Sequence, residues 1–519
     1  MNLAQLARIP ATESLTPAVS DYLAGRYSAC LDACGAIAVE GNPERDEALL
    51  LSARTLLRQQ RPKDAIRLLT VELQTFGKRE TKLEAEALLG LAHATIHDFK
   101  SAEVYAESLQ APGSDGLPDS LRSELLHAEA LIAWMRGDLV EAEAALARSS
   151  FDRSPKALGR NAVAESWIAA KRGAYEQQVR LLLQGIELLR GDAPLDAGML
   201  GAACRALCAL ARDVSIPGLH ATALAVYNEV PWTPDLAIDQ YMSARTLGWA
   251  LALQGPQRYF EALRLLHKAS SIAPSAPWLV FALSDRAALK RSAGEGASSN
   301  ADIYEALDLA KTIDWNAVPD EGRMALLNLA ALFAEIDVRE AATLLAQYTE
   351  VQDNVSARLL LHRDPRAEAY RSFAAGRVQE ALNEPRKAKR LYESVYAVWN
   401  EAGYAWAAAR TALHLFRVTG EQTWWETAKM KIRDYPDSWI ASDINAASTG
   451  IGDDAWNRMT PRQREVFHAL CEGLTARRIA ERLECSPNTV RNHIHWVYQA
   501  FRVNSQPELI AEARKRRLL

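Results

Sequence analysis

The sequence lacks most of what would mark an enzyme. It has no GxxxxGK[ST] phosphate loop. The stretch "FGKRET" at Phe76 carries a Gly-Lys pair, but no upstream glycine and no strand context. No nucleophile–base motif and no zinc-ligand spacing occur. No strand–helix alternation leaves room for a phospho-acceptor receiver domain. Cysteine is scarce, with six in 519 residues. Cys30 and Cys34, like Cys204 and Cys208, stand four apart, which places each pair on one helix face. Without a CxxC or clustered histidine they read as small packing residues, and Cys471 and Cys485 as core positions of the last domain. No enzymatic activity, cofactor or metal is expected.

Long apolar runs are also missing. The nearest to one, "MALLNLAALFAEI" from Met324, contains Asn328 and reaches Glu335, too short and too polar to cross a bilayer. The opening "MNLAQLARIPATESLTP" has neither a basic n-region nor an apolar h-region. A cytoplasmic protein with no membrane partner is therefore expected. The formal charge of −5 is unevenly spread. From Met459 to Leu519, eleven Lys and Arg stand against six Asp and Glu, leaving 49 against 59 in the rest. A basic terminus on an acidic body points to a polyanionic partner for that terminus alone.

What is present, over most of the chain, is a small recurring pattern. A Gly or polar residue is followed two later by an apolar or aromatic residue, and three after that by a small one. It occurs in "GRYSAC", "HDFKSA" and "GDLVEA", more weakly in "GAYEQQ", and "QRPKDA" puts Ala65 in the small slot. The small slots fall at 30, 65, 102, 142 and 178, so the intervals are 35, 37, 40 and 36. Looser copies end at Ala262, Ala306, Ala341 and Ala388. A period of this size means helix pairs stacked in a solenoid, because no pair can cover its own apolar stripe. Gly lets the chain turn, and the small residue lets two helix axes approach. The stretch "LGLAHATIHDFKSAEVYAESLQAP", residues 89–112, resembles the tetratricopeptide repeat in its Leu-Gly, aromatic, alanine and closing Pro112. That resemblance, over roughly residues 15–430, implies a binding surface for a peptide, a partner helix or a small signal ligand. Trp134, Trp167, Trp249 and Trp278 read as packing aromatics rather than a ligand cage.

The helical period breaks in "RDYPDSWIASDINAASTGIGDDAWNR", residues 433–458, whose Pro, Ser, Gly and acidic residues read as a flexible connector. Beyond it "MTPRQREVFHALCEGL" opens with a helix start. Thr460 is the N-cap, Pro461 the first helical residue, and Gln463 completes a capping box. A second helix restarts at Thr475, a third at Ser486–Pro487, and a fourth follows Pro507. Two short helices with a tight connection form a helix-turn-helix. In the third, Val490, Ile494, Val497 and Phe501 make the buried stripe, with Arg491, Asn492, His495, Gln499 and Arg502 crowding the other side.

Residues 459–513 resemble the DNA-binding domain of the LuxR/NarL/GerE family. The matching run is Thr460, Arg462, Glu465, Val466, Gly473, Ile479, Ala480, Leu483, Ser486, Thr489, Val490, His493, Val503 and Leu509. The resemblance implies base reading by Arg491, Asn492 and His495. It places Thr475, Asn488, Thr489, Arg502, Asn504 and Ser505 near phosphates. The helix N-termini at Thr475 and Ser486 add oriented amides there. It also implies a homodimer on a palindromic duplex, with Leu509, Ile510 and Ala513 in the dimer contact. Arg478, Ala500 and Gln506 depart from the family pattern and remove expected contacts. Trp496 is bulky for its place and is free to pack on the scaffold helix or on a partner domain. Arg514, Lys515, Arg516 and Arg517 either compensate or form a solvated tail.

The expected organisation is all-α. A tetratricopeptide-like helical solenoid (1–432) is followed by a linker (433–458) and a four-helix LuxR-type helix-turn-helix (459–519). It resembles the C-terminal half of MalT-type regulators without their ATPase module. The expected function is a bacterial transcription regulator whose array senses a signal and unmasks or dimerises the terminal domain, with RNA polymerase as a partner if it activates. The alternative is a tetratricopeptide adaptor whose helix-turn-helix is vestigial or binds protein.

Overall fold

The structure, a computed structural model, describes residues 13–110, 116–149, 152–191, 194–214, 216–318, 320–359, 365–448, 459–501 and 503–515. Pro112 therefore lies outside the described residues. Among those described, every regular element is a helix. The chain divides into two compact units: Met1–Leu210 with Gly218–Ala244, and Ala211–Pro217 with Arg245–Leu519. The array expected as one domain is thus split, and its second half shares a unit with the terminal helices.

Helices in both units run as packed pairs joined by short turns. Arg79–Thr95 packs on Phe99–Gln110, and Pro155–Lys171 on Tyr175–Arg190. In the second unit Ala276–Ser292 packs on Gly296–Ala310, and Pro365–Ala381 on Pro385–Glu401. The turn slot requires left-handed backbone. Gly25, Gly137 and Gly173 supply it, and Gln60, His97 and Asn383 adopt it with φ of 59–62°. Five residues later the small slot is sealed: Cys30, Ala65, Ala102, Ala142 and Ala388 are 0% exposed. A longer side chain there would force the axes apart. Gly90 shows how close they come, since a Cβ on it would lie 2.9 Å from Ile132 Cδ1.

Two corrections to the repeat register follow. The copy ending at Ala306 begins instead at Gly294, and its small residue is the buried Ser299. Serine is accepted there because its hydroxyl donates to the Ala287 carbonyl at 2.9 Å. A further copy, Gly218 to Ala223, was hidden by the polar His220 between them.

In the first unit the helices Arg45–Arg58, Arg79–Thr95, Asp119–Arg136 and Pro155–Lys171 share a buried ladder of charge. Arg54 pairs with Glu84 and lies 3.9 Å from Glu124, which pairs with Arg160 at 3.0 Å. Burial opposes the charge of both arginines. Arg54, facing Glu84 and Glu124, is held above the usual range, whereas for Arg160 burial outweighs its pairing with Glu124 and pulls it below. The ladder is closed to solvent and is not an open groove for a guest.

The connector expected at 433–458 is corrected over its first part. Trp439–Ser448 is a helix, with Ile440, Ala441 and Ile444 packed against Ala428, Ile432 and Tyr435. Ser438, read as loop composition, is its cap, accepting from the Ala441 amide at 3.2 Å. Ile440, Ala441, Ile444 and Ala447 have helical spacing that the surrounding Pro and Ser obscured. Residues 449–458 lie outside the described residues.

Candidate nucleic-acid interface

The terminal bundle is built from local signals that the chain makes good. Thr460 Oγ1 accepts from the Gln463 amide at 3.2 Å, and Gln463 Oε1 accepts from the Thr460 amide at 2.7 Å. Together they cap the helix Pro461–Cys471. The second helix is Ala476–Arg482 and the third is Pro487–Phe501. Between them Glu484 turns the chain at φ 49°. Ser486 then caps the third helix, accepting from the Thr489 amide at 3.1 Å. Arg462 fixes the second helix against the first by donating to the Leu483 carbonyl.

The third helix has three faces. Successive residues of an α-helix rotate by about 100°. Val490, Val497 and Phe501 lie together and are at most 1% exposed, and the partly buried Ile494 packs beside them. Arg491, Asn492, His495 and Gln499 fall on the opposite arc and are exposed. Arg491 is held by Asn488, donating to its Oδ1 at 3.0 Å, and His495 Nε2 lies 3.0 Å from Gln499 Nε2. The remaining arc, with Trp496, Ala500 and His493, faces helices of the second unit's array. Trp496 Nε1 donates to Asn383 Oδ1 at 3.0 Å, and Asn383 Nδ2 donates to Gln499 Oε1 at 3.1 Å. Asn383 is the left-handed turn residue between Pro365–Ala381 and Pro385–Glu401.

The other candidate residues separate by what already holds them. Thr475, Ser486 and Asn488 are exposed, and Thr489 is half-buried with its hydroxyl 2.8 Å from that of Ser486. Ser505 donates to Glu508 at 2.7 Å, and the Asn504 amide donates to the same carboxylate at 2.9 Å. These two form the start of the fourth helix, Gln506–Lys515, beside a negative charge. Arg502, Arg516 and Arg517 lie outside the described residues, and Arg514 is exposed.

The dimer contact needs correction. Leu509 and Ala513 are 0% exposed inside the bundle's own core, so they have no surface to offer a second copy; Ile510 alone of the three stays partly open. Gln506 was missed as a structural residue. Its amide donates to the Leu470 and Leu474 carbonyls at 2.7 and 3.2 Å, closing the end of the first helix. Its position as the first residue of the fourth helix carries no local sign of that distant partner.

Burial also sets the histidines. His493 is pushed down to about 4 by burial and the Arg462 charge. His414, on Ala405–Thr419, is pushed to about 4 by burial, which outweighs Glu380. Both are lowered from 6.5, so between pH 6.5 and 4 the unfolded chain binds protons that the folded one does not. Stability of the second unit therefore falls as pH drops through that window. Its melting midpoint should be lower at pH 5 than at pH 7.5, and equal midpoints would exclude this account.

Residues 457–513 match the family model described as "Bacterial regulatory proteins, luxR family". Two curated relatives are 39% identical over 61 residues: the "Putative HTH-type transcriptional regulator Mb0914c" of Mycobacterium bovis and the "Putative HTH-type transcriptional regulator Rv0890c" of Mycobacterium tuberculosis. The match covers 12% of this chain, and the chain spans 7% of those relatives' length. Among solved structures, "Crystal structure of APC/C hetero-tetramer Cut9-Hcn1" aligns over 96% of this chain and 95% of that one, at 12% identity and a TM-score of 0.27. The terminal bundle is a LuxR-type helix-turn-helix.

Proposed function

We propose that this protein is a bacterial transcription regulator that binds double-stranded DNA through the third helix of its terminal bundle. The observation that carries the reading is the exposed arc of Arg491, Asn492 and His495 over a core sealed by Val490, Val497 and Phe501. Arg bonds bidentately to guanine and Asn to adenine in the major groove. Asn488, the Thr475 hydroxyl and the capped N-terminus at Ser486 are the phosphate contacts of this reading. The domain division is an array ending near Ser448 and a reading domain from Met459. One small domain makes few phosphate contacts, so tight binding calls for two copies on a palindromic site.

The array controls the reading helix by docking on its flank. A helix with its side chains is about 10–12 Å across and the major groove about 12 Å wide. Both flanks of an inserted helix therefore face sugar–phosphate walls. Asn383 occupies the flank at Trp496 and Gln499, next to Asn492. Docked and DNA-bound states exclude each other, and a signal acts only by binding one of them more tightly.

The test starts from genomic fragments retained by the intact chain. Arg491→Ala should weaken binding of a retained fragment by about 5- to 150-fold, the 1–3 kcal/mol of a bidentate base contact. An unchanged affinity would refute the base-reading role. Asn383→Ala should strengthen binding by about 5- to 30-fold, since it removes two docking hydrogen bonds worth about 0.5–1 kcal/mol each. If neither it nor deletion of residues 1–448 raises the affinity, docking does not control access.

A further inference from the structure

The docked helix-turn-helix and the array enclose a cleft of about 320 Å³. Glu335, Arg377, Glu380, His414 and Arg417 line it from the array, and Thr460, His493 and Trp496 from the terminal bundle. The volume is at the lower end for small-ligand sites, which suits a metabolite and not a peptide.

The array wall is largely satisfied. Arg377 pairs with Glu335, and Glu380 accepts from the Tyr392 hydroxyl at 2.7 Å and from His414 Nδ1 at 2.8 Å. Arg417 is the exception: among the described residues it makes no hydrogen bond and no ion pair. Its guanidinium is close enough to Glu380, His414, Asp443 and Arg464 for its charge to act on each. Across the cleft His493 Nε2 is buried and also has no hydrogen-bond partner.

The charged residues lining the cleft are Arg377 and Arg417 against Glu335 and Glu380, and Arg377 is already paired with Glu335. Arg410 is pushed down to about 10 by burial and the Arg377 charge, and Arg464 is lowered by burial and Arg417. A half-buried guanidinium whose N–H groups have no acceptor is costly, and an oxyanion satisfies it with two parallel hydrogen bonds.

We infer that this cleft binds a small oxyanionic metabolite, through a phosphate or carboxylate group held by Arg417 from the array and His493 from the helix-turn-helix. Such a ligand binds only where the two walls meet. It stabilises the docked state and, by linkage, weakens DNA binding; DNA in turn weakens the ligand by the same factor. The site rests on the cleft, the unpartnered Arg417 and the unpartnered His493 Nε2, while the direction of its effect rests on the proposed role as a DNA-binding regulator.

Calorimetric titration of the full chain with inorganic phosphate and, separately, malonate tests the site, with ionic strength held constant by sodium chloride. Saturable binding of at least one is expected; phosphate alone points to a phosphoryl group and malonate alone to a carboxylate. Arg417→Met should weaken it at least tenfold, with Arg417→Lys intermediate. Should Arg417→Met fail to fold by circular dichroism, His493→Gln must show the weakening instead. No saturable binding of either anion, or equal binding by the folded variants, overturns the site. With the anion at saturation, affinity for a retained DNA fragment should fall in the wild type and not in Arg417→Met. Binding at Arg417 that leaves DNA affinity unmoved overturns the coupling, and a chain that retains no DNA fails the regulator reading while calorimetry still decides the site.

Discussion

Phe501→Ala should unfold the terminal bundle and abolish duplex binding while the array keeps its helices. Phe501 is 1% exposed and stacks on Phe467 with ring centroids 5.0 Å apart. Val466, Leu470, Val490, Val497 and Leu509 complete the same core. Truncating a buried phenylalanine costs about 3–5 kcal/mol, from lost transfer free energy and the cavity left behind. A domain this small has about 5 kcal/mol or little more to lose. Amide hydrogen exchange resolves the outcome by segment. Protection should collapse between Pro461 and Lys515 and persist in helices such as Arg79–Thr95. Retained protection in the terminal helices would mean that Phe501 does not hold the bundle together.

Glu124→Ala should destabilise the first unit by about 3–5 kcal/mol, because it removes one partner of a buried charge network. Arg160 would keep Asn161 Oδ1 at 3.2 Å and Ser123 Oγ at 3.3 Å but lose its carboxylate. Arg54 would lose its compensation only in part, since Glu84 remains. In a unit of this size the melting transition should move down by roughly 10 °C, at about 2–4 °C per kcal/mol. Differential scanning calorimetry of the full chain would read this as a shift of one transition and not of all. A shift under about 2 °C, less than 1 kcal/mol is expected to give, would show that the ladder tolerates an uncompensated arginine.

Legibility in the sequence followed the range of the interaction. The capping box at Thr460 and the cap at Ser486 involve residues three apart, so the order of residue types along the chain is enough to read them. The apolar stripe of Val490, Val497 and Phe501 is legible too, because the period alone places it on one side. The turn slots at Gly25, His97 and Gly137 are legible for the same reason. Register failed at Ser299, where a hydroxyl fills a small slot only because the Ala287 carbonyl is there to receive it. It failed again at Trp439–Ser448, where loop-like composition hid a packed helix. Leu509 and Ala513 look like interface residues until the core that claims them is seen.

By itself the sequence determined that this chain is helical and repeating, that it ends in a helix-turn-helix, and which arc of its third helix carries arginine and asparagine. Those properties depend on periodicity and on neighbours within one or two turns. Only the tertiary structure decided that the flank beside that arc is held by Asn383, that Arg417 faces a cleft with no hydrogen-bond or ion-pair partner among the described residues, and that the arginines of the first unit pair across successive helices. Each of these joins residues tens to more than a hundred positions apart, and which side chains meet across such distances is set by how the helices pack, which no local pattern encodes.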